Sequence, residues 1–182
     1  MVLIFKRERS EIMDLTVRRL TTDDAKDIYE MLQEMPADEN GFINPVHGKT
    51  YDEYKLWLKK AYDDSVQTGI IDGWKVPGTV FWLFEDGKPV GFGKLRHFLT
   101  EKLLDAGGNI GYSIRPSERK RGLGKRFVAK LIEEGKIIGI ERLLFTINNN
   151  NTPSIRVALA NGGVIERVTE ERHYISIVLK NE

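Results

Sequence analysis

The chain contains no cysteine in its 182 residues. That absence excludes a disulfide framework, a thiol nucleophile and thiolate-ligated metal, and it fits a reducing cytoplasm, the expected location. Net charge is also missing: 28 lysines and arginines balance 27 aspartates and glutamates, for a formal charge of +1. A chain so nearly neutral has no global attraction to nucleic acid or to anionic membrane, so any basic site must be local. Apolar runs are short, and none approaches the roughly 18 residues that span a bilayer. Met1 to Phe5 is apolar, but Lys6 to Arg9 follows without a small-residue cleavage site, so it does not read as a signal peptide. There is no internal repeat, low-complexity tract or linker. Residues 1–13 precede the first periodic pattern and are expected to form a flexible leader, with Met13 as an alternative start. Residues 14–182 are expected to form a single domain.

What is present is ordinary for a globular protein, at 41% hydrophobic and 30% charged residues. Leu15 to Leu20 alternates as a strand does. Thr22-Asp23-Asp24 suits a helix N-terminus, with Ile28, Met31, Leu32 and Met35 following at helical spacing until Pro36. Ala37 to Lys49 reads as a loop, after which Thr50 can cap a second helix bearing Tyr54, Trp57, Leu58 and Tyr62. Thr79 to Phe84, a turn at Glu85-Asp86-Gly87-Lys88 and Val90 to Phe98 make a hairpin. Ile110 to Ile114 is a strand halted by Pro116, and a helix follows with Leu123, Phe127, Leu131 and Ile138 near one face. Leu143 to Ile147 reads as a strand, Thr152 to Ala160 as a helix closed by Asn161-Gly162-Gly163, and Val164 to Val168 and Tyr174 to Leu179 as closing strands. The predicted order is βααβββαβαββ, an α/β (α+β) fold with a mixed sheet and helices on both faces.

The most informative segment runs from Arg115 to Arg126, where a strand ends and a helix begins. Amides at a helix start lack intrahelical acceptors, and the helix dipole there favours an anion. Gly122 and Gly124 let the backbone approach phosphate oxygens, and Arg119, Lys120, Arg121, Lys125 and Arg126 add local positive charge. A diphosphate fits that design. Two other phosphate motifs fail on single residues: a Walker A loop needs Ser or Thr where Arg126 stands, and a dinucleotide fingerprint needs glycine where Phe127 stands.

Arg119-Lys120-Arg121-Gly122-Leu123-Gly124 resembles the Arg/Gln-x-x-Gly-x-Gly/Ala signature of the GCN5-related N-acetyltransferases, the GNAT superfamily. Asn151-Thr152-Pro153-Ser154 followed by Gly162-Gly163 resembles that family's second motif, and the element order is similar from Leu15 to Leu179. The text from Arg96-His97 through Gly107 to Arg119 is similar to a bacterial branch of acetyltransferases known from sequence. The resemblance implies a mostly antiparallel central sheet and acetyl-CoA as cosubstrate. Backbone groups of Tyr112 and Ile114 would pair with the pantetheine arm, and the amides of Arg119, Lys120, Arg121, Gly122, Leu123, Gly124 and Lys125 would hold the pyrophosphate. Asn151 would hydrogen-bond the pantetheine, with Ser154 near the same groove. A backbone N–H near Tyr112 would polarise the thioester carbonyl.

One departure stands out. Many family members carry a tyrosine in the second-motif helix that protonates the leaving thiolate, and counting from Asn151 puts Ala158 there. For the amine's proton, His97 is the candidate base from its type and position. Asp38 and Glu39 are candidates to attract a cationic amine, with Trp57 and Trp74 either lining the same side or packing the core. The expectation is therefore an acetyl-CoA-dependent N-acetyltransferase acting on a small-molecule or peptide amine. It needs no metal, engages neither nucleic acid nor membrane, and is monomeric or homodimeric. An acyl-CoA-binding module without turnover is the alternative, and a nucleic-acid-binding domain built on Arg119 to Lys130 is disfavoured by the near-zero charge and by the lack of aromatics in that run.

Overall fold

The computed structural model describes residues 14–179, so the expected leader at residues 1–13 lies outside the described residues. The elements are β1 (Leu15–Arg19), α1 (Lys26–Glu34), β2 (Asp38–Glu39), β3 (Phe42–Ile43), α2 (Tyr51–Ser65), β4 (Gly78–Glu85), β5 (Lys88–Arg96), α3 (Glu101–Asp105), β6 (Ile110–Ile114), α4 (Leu123–Ile138), β7 (Arg142–Asn148), α5 (Thr152–Ala160), β8 (Val164–Val168) and β9 (Arg172–Val178). Strands β1, β4, β5 and β6 form an antiparallel four-stranded sheet in that order, and β7, β9 and β8 form a second, three-stranded antiparallel sheet. The expected strand and helix order is present. It is joined by the small β2–β3 hairpin inside the predicted loop, and by the single-turn helix α3.

Strand periodicity divides the core. On β4, Phe81 and Leu83 face one apolar cluster and Val80 and Trp82 face the other. The first cluster packs against α4, through Leu123, Phe127 and Leu131, and against Leu143, Phe145 and Ile175 of the second sheet. The second packs against Ile28, Met31 and Leu32 of α1 and Tyr54 and Leu58 of α2. Trp57 belongs to the aromatic contacts of this second cluster, stacking on Tyr54 and meeting Phe92 edge-on, whereas Trp74 is 69% exposed.

The predicted caps divide as well. Thr50 forms a full capping box with Glu53 at the start of α2. Asp24, in contrast, does not cap α1, whose N-cap is Ala25. Its buried carboxylate accepts from the Trp82 indole at 2.5 Å, from Arg18 at 2.5 Å and from the Thr21 hydroxyl at 2.9 Å. Asp24 thus fastens α1 to β4 through the sheet's central tryptophan.

Candidate functional site

Strands β6 and β7 carry no ladder between them, and the junction of the two sheets is made by Asn109. Its backbone N–H donates to the Leu144 carbonyl at 2.9 Å, its Oδ1 accepts from the Leu144 N–H at 3.0 Å, and its Nδ2 donates to the Arg96 carbonyl at 3.2 Å. Gly108 makes the close approach possible: a Cβ there would lie 2.2 Å from the Leu144 carbonyl oxygen, at a φ of 58°. From this clip the strands diverge.

The phase of the β5–β6 ladder decides which groups of β6 face the gap. Arg96 N–H donates to Asn109 O at 2.7 Å, and Arg115 N–H donates to Val90 O at 2.8 Å. In an antiparallel ladder such pairs alternate, so Gly111 and Ser113 point their backbone groups at β5, while Tyr112 and Ile114 point theirs at the open edge. The Ile114 carbonyl is occupied by Arg119, whose Nε donates to it at 2.9 Å. The N–H groups of Tyr112 and Ile114 and the carbonyl of Tyr112 therefore face the gap.

Beyond β6 the chain makes a one-turn 3-10 helix, Pro116–Glu118, and enters α4 through Lys120 and Gly122, both left-handed at φ 62° and 76°. Successive left-handed turns tilt amides to a common concave side. The first turn of α4 has no side-chain cap, and among the described residues no acceptor takes the amides of Gly122, Leu123, Gly124 or Lys125. These are the groups that an anion satisfies.

Two cavities meet across this edge. One, of about 590 Å³, is lined by Tyr112, Ile114, Lys120, Gly122, Gly124, Lys125, Asn151 and Ser154. The other, of about 420 Å³, is lined by Phe42, Lys94, Arg96, Gly111, Thr146 and Arg172. Glu39, Asn40, Tyr112, Asn151 and Ser154 border both. The first cavity is bordered by the free amides of α4, and the second is smaller and cationic.

A family model described as an acetyltransferase (GNAT) domain matches residues 14–164. The chain belongs to the GNAT acetyltransferase family. Solved structures agree in fold. A GNAT-family acetyltransferase from Streptococcus pneumoniae is 18% identical with a TM-score of 0.61, covering 92% of this chain and 100% of its own. The Campylobacter jejuni N-acetyltransferase PseH, in complex with acetyl coenzyme A, is 14% identical with a TM-score of 0.60, covering 92% and 100%. RimL, a ribosomal L7/L12 alpha-N-protein acetyltransferase in complex with coenzyme A, is 13% identical with a TM-score of 0.68, covering 91% and 94%. No curated protein matches the chain significantly.

Within this GNAT frame, the residues singled out from the sequence separate into groups. Tyr112, Ile114, Lys120, Gly122, Leu123, Gly124, Lys125, Asn151 and Ser154 are brought together around the larger cavity. Asn151 is the N-cap of α5, accepting from the Ser154 N–H at 3.4 Å, while Asn149 is turned away to bond His173 at 2.7 Å. Arg119 and Arg121 are engaged by carboxylates. Arg119 grips Glu39 with both terminal nitrogens at 2.8 Å, and Arg121 pairs with Glu85 at 2.7 Å and with Glu118. Their guanidinium groups brace the loop; Arg119 lines the larger cavity while paired to Glu39, beside Lys120 and Lys125.

Glu39 borders both cavities, but its carboxylate also accepts from the Ser113 hydroxyl at 2.6 Å. Asp38 lines neither cavity, and its side chain closes the hairpin turn by accepting from Gly41 N–H at 2.8 Å. His97 does not reach either cavity. It follows Lys94 and Arg96 by an odd number of residues, so it leaves the sheet on the other face, bonds Thr79 Oγ1 at 2.9 Å and lines a separate cavity with Phe98 and Leu104. Burial, with Arg19 nearby, lowers its pKa further below the ordinary value. Ala158 is completely buried in the main core, so no side chain from that position meets the groove.

Three site groups escaped the sequence. The Tyr112 phenol lies where the cavities meet, 3.4 Å from Ser154 Oγ, and burial raises its pKa so that it stays protonated at neutral pH. Lys94 and Arg96 sit two apart on β5 and share a sheet face toward the cationic cavity. Burial, with Arg96 and Lys75 nearby, brings Lys94 down to about 8. The available signal was two cations on alternate positions at the end of a central strand that is apolar and glycine-rich from Pro89 to Gly93.

Proposed function

We propose that the protein transfers an acetyl group from acetyl-CoA to a primary amine by direct attack within a ternary complex. The observation that carries this reading is the continuous path from the free first-turn amides of α4, along the open edge of β6, to the Tyr112 junction between the two cavities. The coenzyme A in RimL and the acetyl coenzyme A in PseH support the choice of cosubstrate.

In this reading the amides of Gly122 to Lys125, with Lys120 and Lys125, hold the pyrophosphate. The Tyr112 and Ile114 backbone groups pair with the pantetheine amides as an added strand would. The thioester carbonyl at the junction accepts from the Tyr112 N–H, so charge developing on its oxygen meets an already oriented donor. The protonated phenol of Tyr112 donates to the departing thiolate, taking over the part for which Ala158 has no side chain, and the resulting phenolate recovers its proton from the attacking nitrogen as the amide forms. The amine enters from the second cavity. A free alkylamine is neutral in about one molecule per thousand at pH 7, and the cations Lys94 and Arg96 raise that fraction because a like charge disfavours an ammonium beside them.

Isothermal titration with acetyl-CoA tests the reading, with binding expected well below millimolar. No saturable heat up to about 1 mM would remove its basis. Tight binding with no thiol release over a broad amine panel would instead support a non-catalytic acyl-CoA-binding module, the reading that buried Ala158 motivates.

A further inference from the structure

The smaller cavity has an unbalanced charge. Lys94, Arg96 and Arg172 contribute three cations to its lining and Glu39 one anion, and the Glu39 carboxylate is already matched by Arg119. Among the described residues, Lys94 makes no ion pair or hydrogen bond, and neither Arg96 nor Arg172 has a carboxylate partner. Arg96 is held in place through one terminal nitrogen, which donates to Gly107 O at 3.0 Å and Gly108 O at 2.9 Å, leaving the rest of its guanidinium fork unassigned. Both side chains rise from β5, a strand paired on both sides, and both are half-buried.

A buried cation without a partner is costly to keep. Here Lys94, half-buried without a partner, and Arg96, half-buried without a carboxylate, line a cavity that would receive a cationic or neutral amine, and on charge alone they oppose its entry. The contradiction disappears if the amine arrives with an anion of its own. We infer that the acceptor is a small amine bearing a carboxylate or phosphate, with Lys94 and Arg96 seating that anion while the amine is directed to the Tyr112 junction. The inference rests on the acetyl-transfer reading for the identity of the cavity, and adds the substrate class. A volume of about 420 Å³ suits a metabolite or a chain terminus better than a folded surface. Arg96 can engage two oxygens at once, whereas Lys94 acts as a point charge.

The test uses the full chain without cofactor, where no turnover interferes. Ligand-observed magnetic resonance titrations compare the common amino acids with their amides, and O-phosphoethanolamine with ethanolamine. At least one anionic amine is expected to bind about tenfold or more tightly than its uncharged counterpart, the range for a charge-assisted hydrogen bond. The preferred pair tells carboxylate from phosphate. Lys94→Met combined with Arg96→Met should abolish the preference, and Lys94→Arg should retain most of it, with circular dichroism melts reporting that each variant is folded. Equal binding of acid and amide across the set, no saturable binding of any anionic amine, or a preference that survives in the double variant would overturn the inference. Failure of acetyl-CoA to bind strikes the acetyl-transfer reading instead. Equal kcat/KM for acid and amide acceptors overturns the anion inference while leaving acetyl transfer standing.

Discussion

A lysine placed for a ligand should weaken the fold that carries it, and Lys94 allows that cost to be measured. In the folded chain its ammonium is lowered from 10.5 to about 8, first by burial and then by Arg96 and Lys75, with Asp64 acting the other way. A gap of about 2.5 pH units between unfolded and folded forms corresponds to roughly 3 kcal/mol, at about 1.4 kcal/mol for each unit. The direction follows from proton counting. Below pH 8 both states carry the proton and the folded state bears the whole penalty. Between about 8 and 10.5 the unfolded chain keeps a proton that the folded one has lost, so stability rises with pH, and above 10.5 the penalty is gone. Lys94→Met keeps the length of the stem and removes the charge. It should stabilise the protein by an amount on the order of 3 kcal/mol at pH 7, with the advantage shrinking toward pH 10.5. Urea unfolding followed by the fluorescence of buried Trp82 reads this as a higher midpoint at unchanged slope. A variant no more stable than the parent at pH 7, or an advantage independent of pH, would refute the claim that the ammonium is buried without a partner.

Three further outcomes follow from the same geometry. Asn109→Ala should cost about 2–4 kcal/mol, because it strands the Leu144 N–H and the Arg96 carbonyl, and hydrogen exchange at Leu144 should accelerate with it. Tyr112→Phe should leave acetyl-CoA affinity within about twofold in calorimetry but lower kcat by roughly 10- to 100-fold, as expected for loss of a general acid. Gly122→Ala meets no atom within 4 Å, so its effect is conformational: about 1 kcal/mol in denaturant titrations from the left-handed φ of 76°, together with weaker acetyl-CoA binding.

Much of the fold was legible because its signals are local. The Thr50–Glu53 cap, the turn at Asp86 and Gly87 with φ of 48° and 79°, and the alternation of Thr79 to Phe84 each act within a few residues. The β2–β3 hairpin was not legible, since strands of two residues are too short to show a period, and what holds them is distant: Phe42 against Gly111, Glu39 against Ser113 and Arg119. The loop proposed to hold the pyrophosphate was readable for a related reason. Its free groups are backbone amides, and the glycines and the chain direction that expose amides leave a mark in the sequence. The carboxylate partners of Arg119 and Arg121 were not readable, because Glu39 and Glu85 lie far away in the chain. His97 shows the same limit: its residue type suits a base, but it follows β5 directly and lines a separate cavity from Lys94 and Arg96.

On the proposed function the two cavities would recognise charge by different means, and that difference explains why one end of the reaction can be read from a family resemblance and the other cannot. At α4 the proposed anion would be met by main-chain dipoles at a helix start flanked by Gly122 and Gly124, and Arg119 and Arg121 are tied into carboxylate pairs. Across Tyr112 the charge is carried by side chains at positions 94, 96 and 172, which can change without altering a hydrogen bond of the β5–β6 ladder. Glu39 joins the two ends, since it belongs to the hairpin beside the smaller cavity and holds the first arginine of the loop. A displacement of the hairpin by an entering acceptor would therefore be felt at Arg119, and through its bond to the Ile114 carbonyl at the edge of β6 where the pantetheine is proposed to lie. On the proposed function the fold would thus separate a binding chemistry fixed by backbone from one free to vary by side chain, and couple them through the Glu39–Arg119 ion pair.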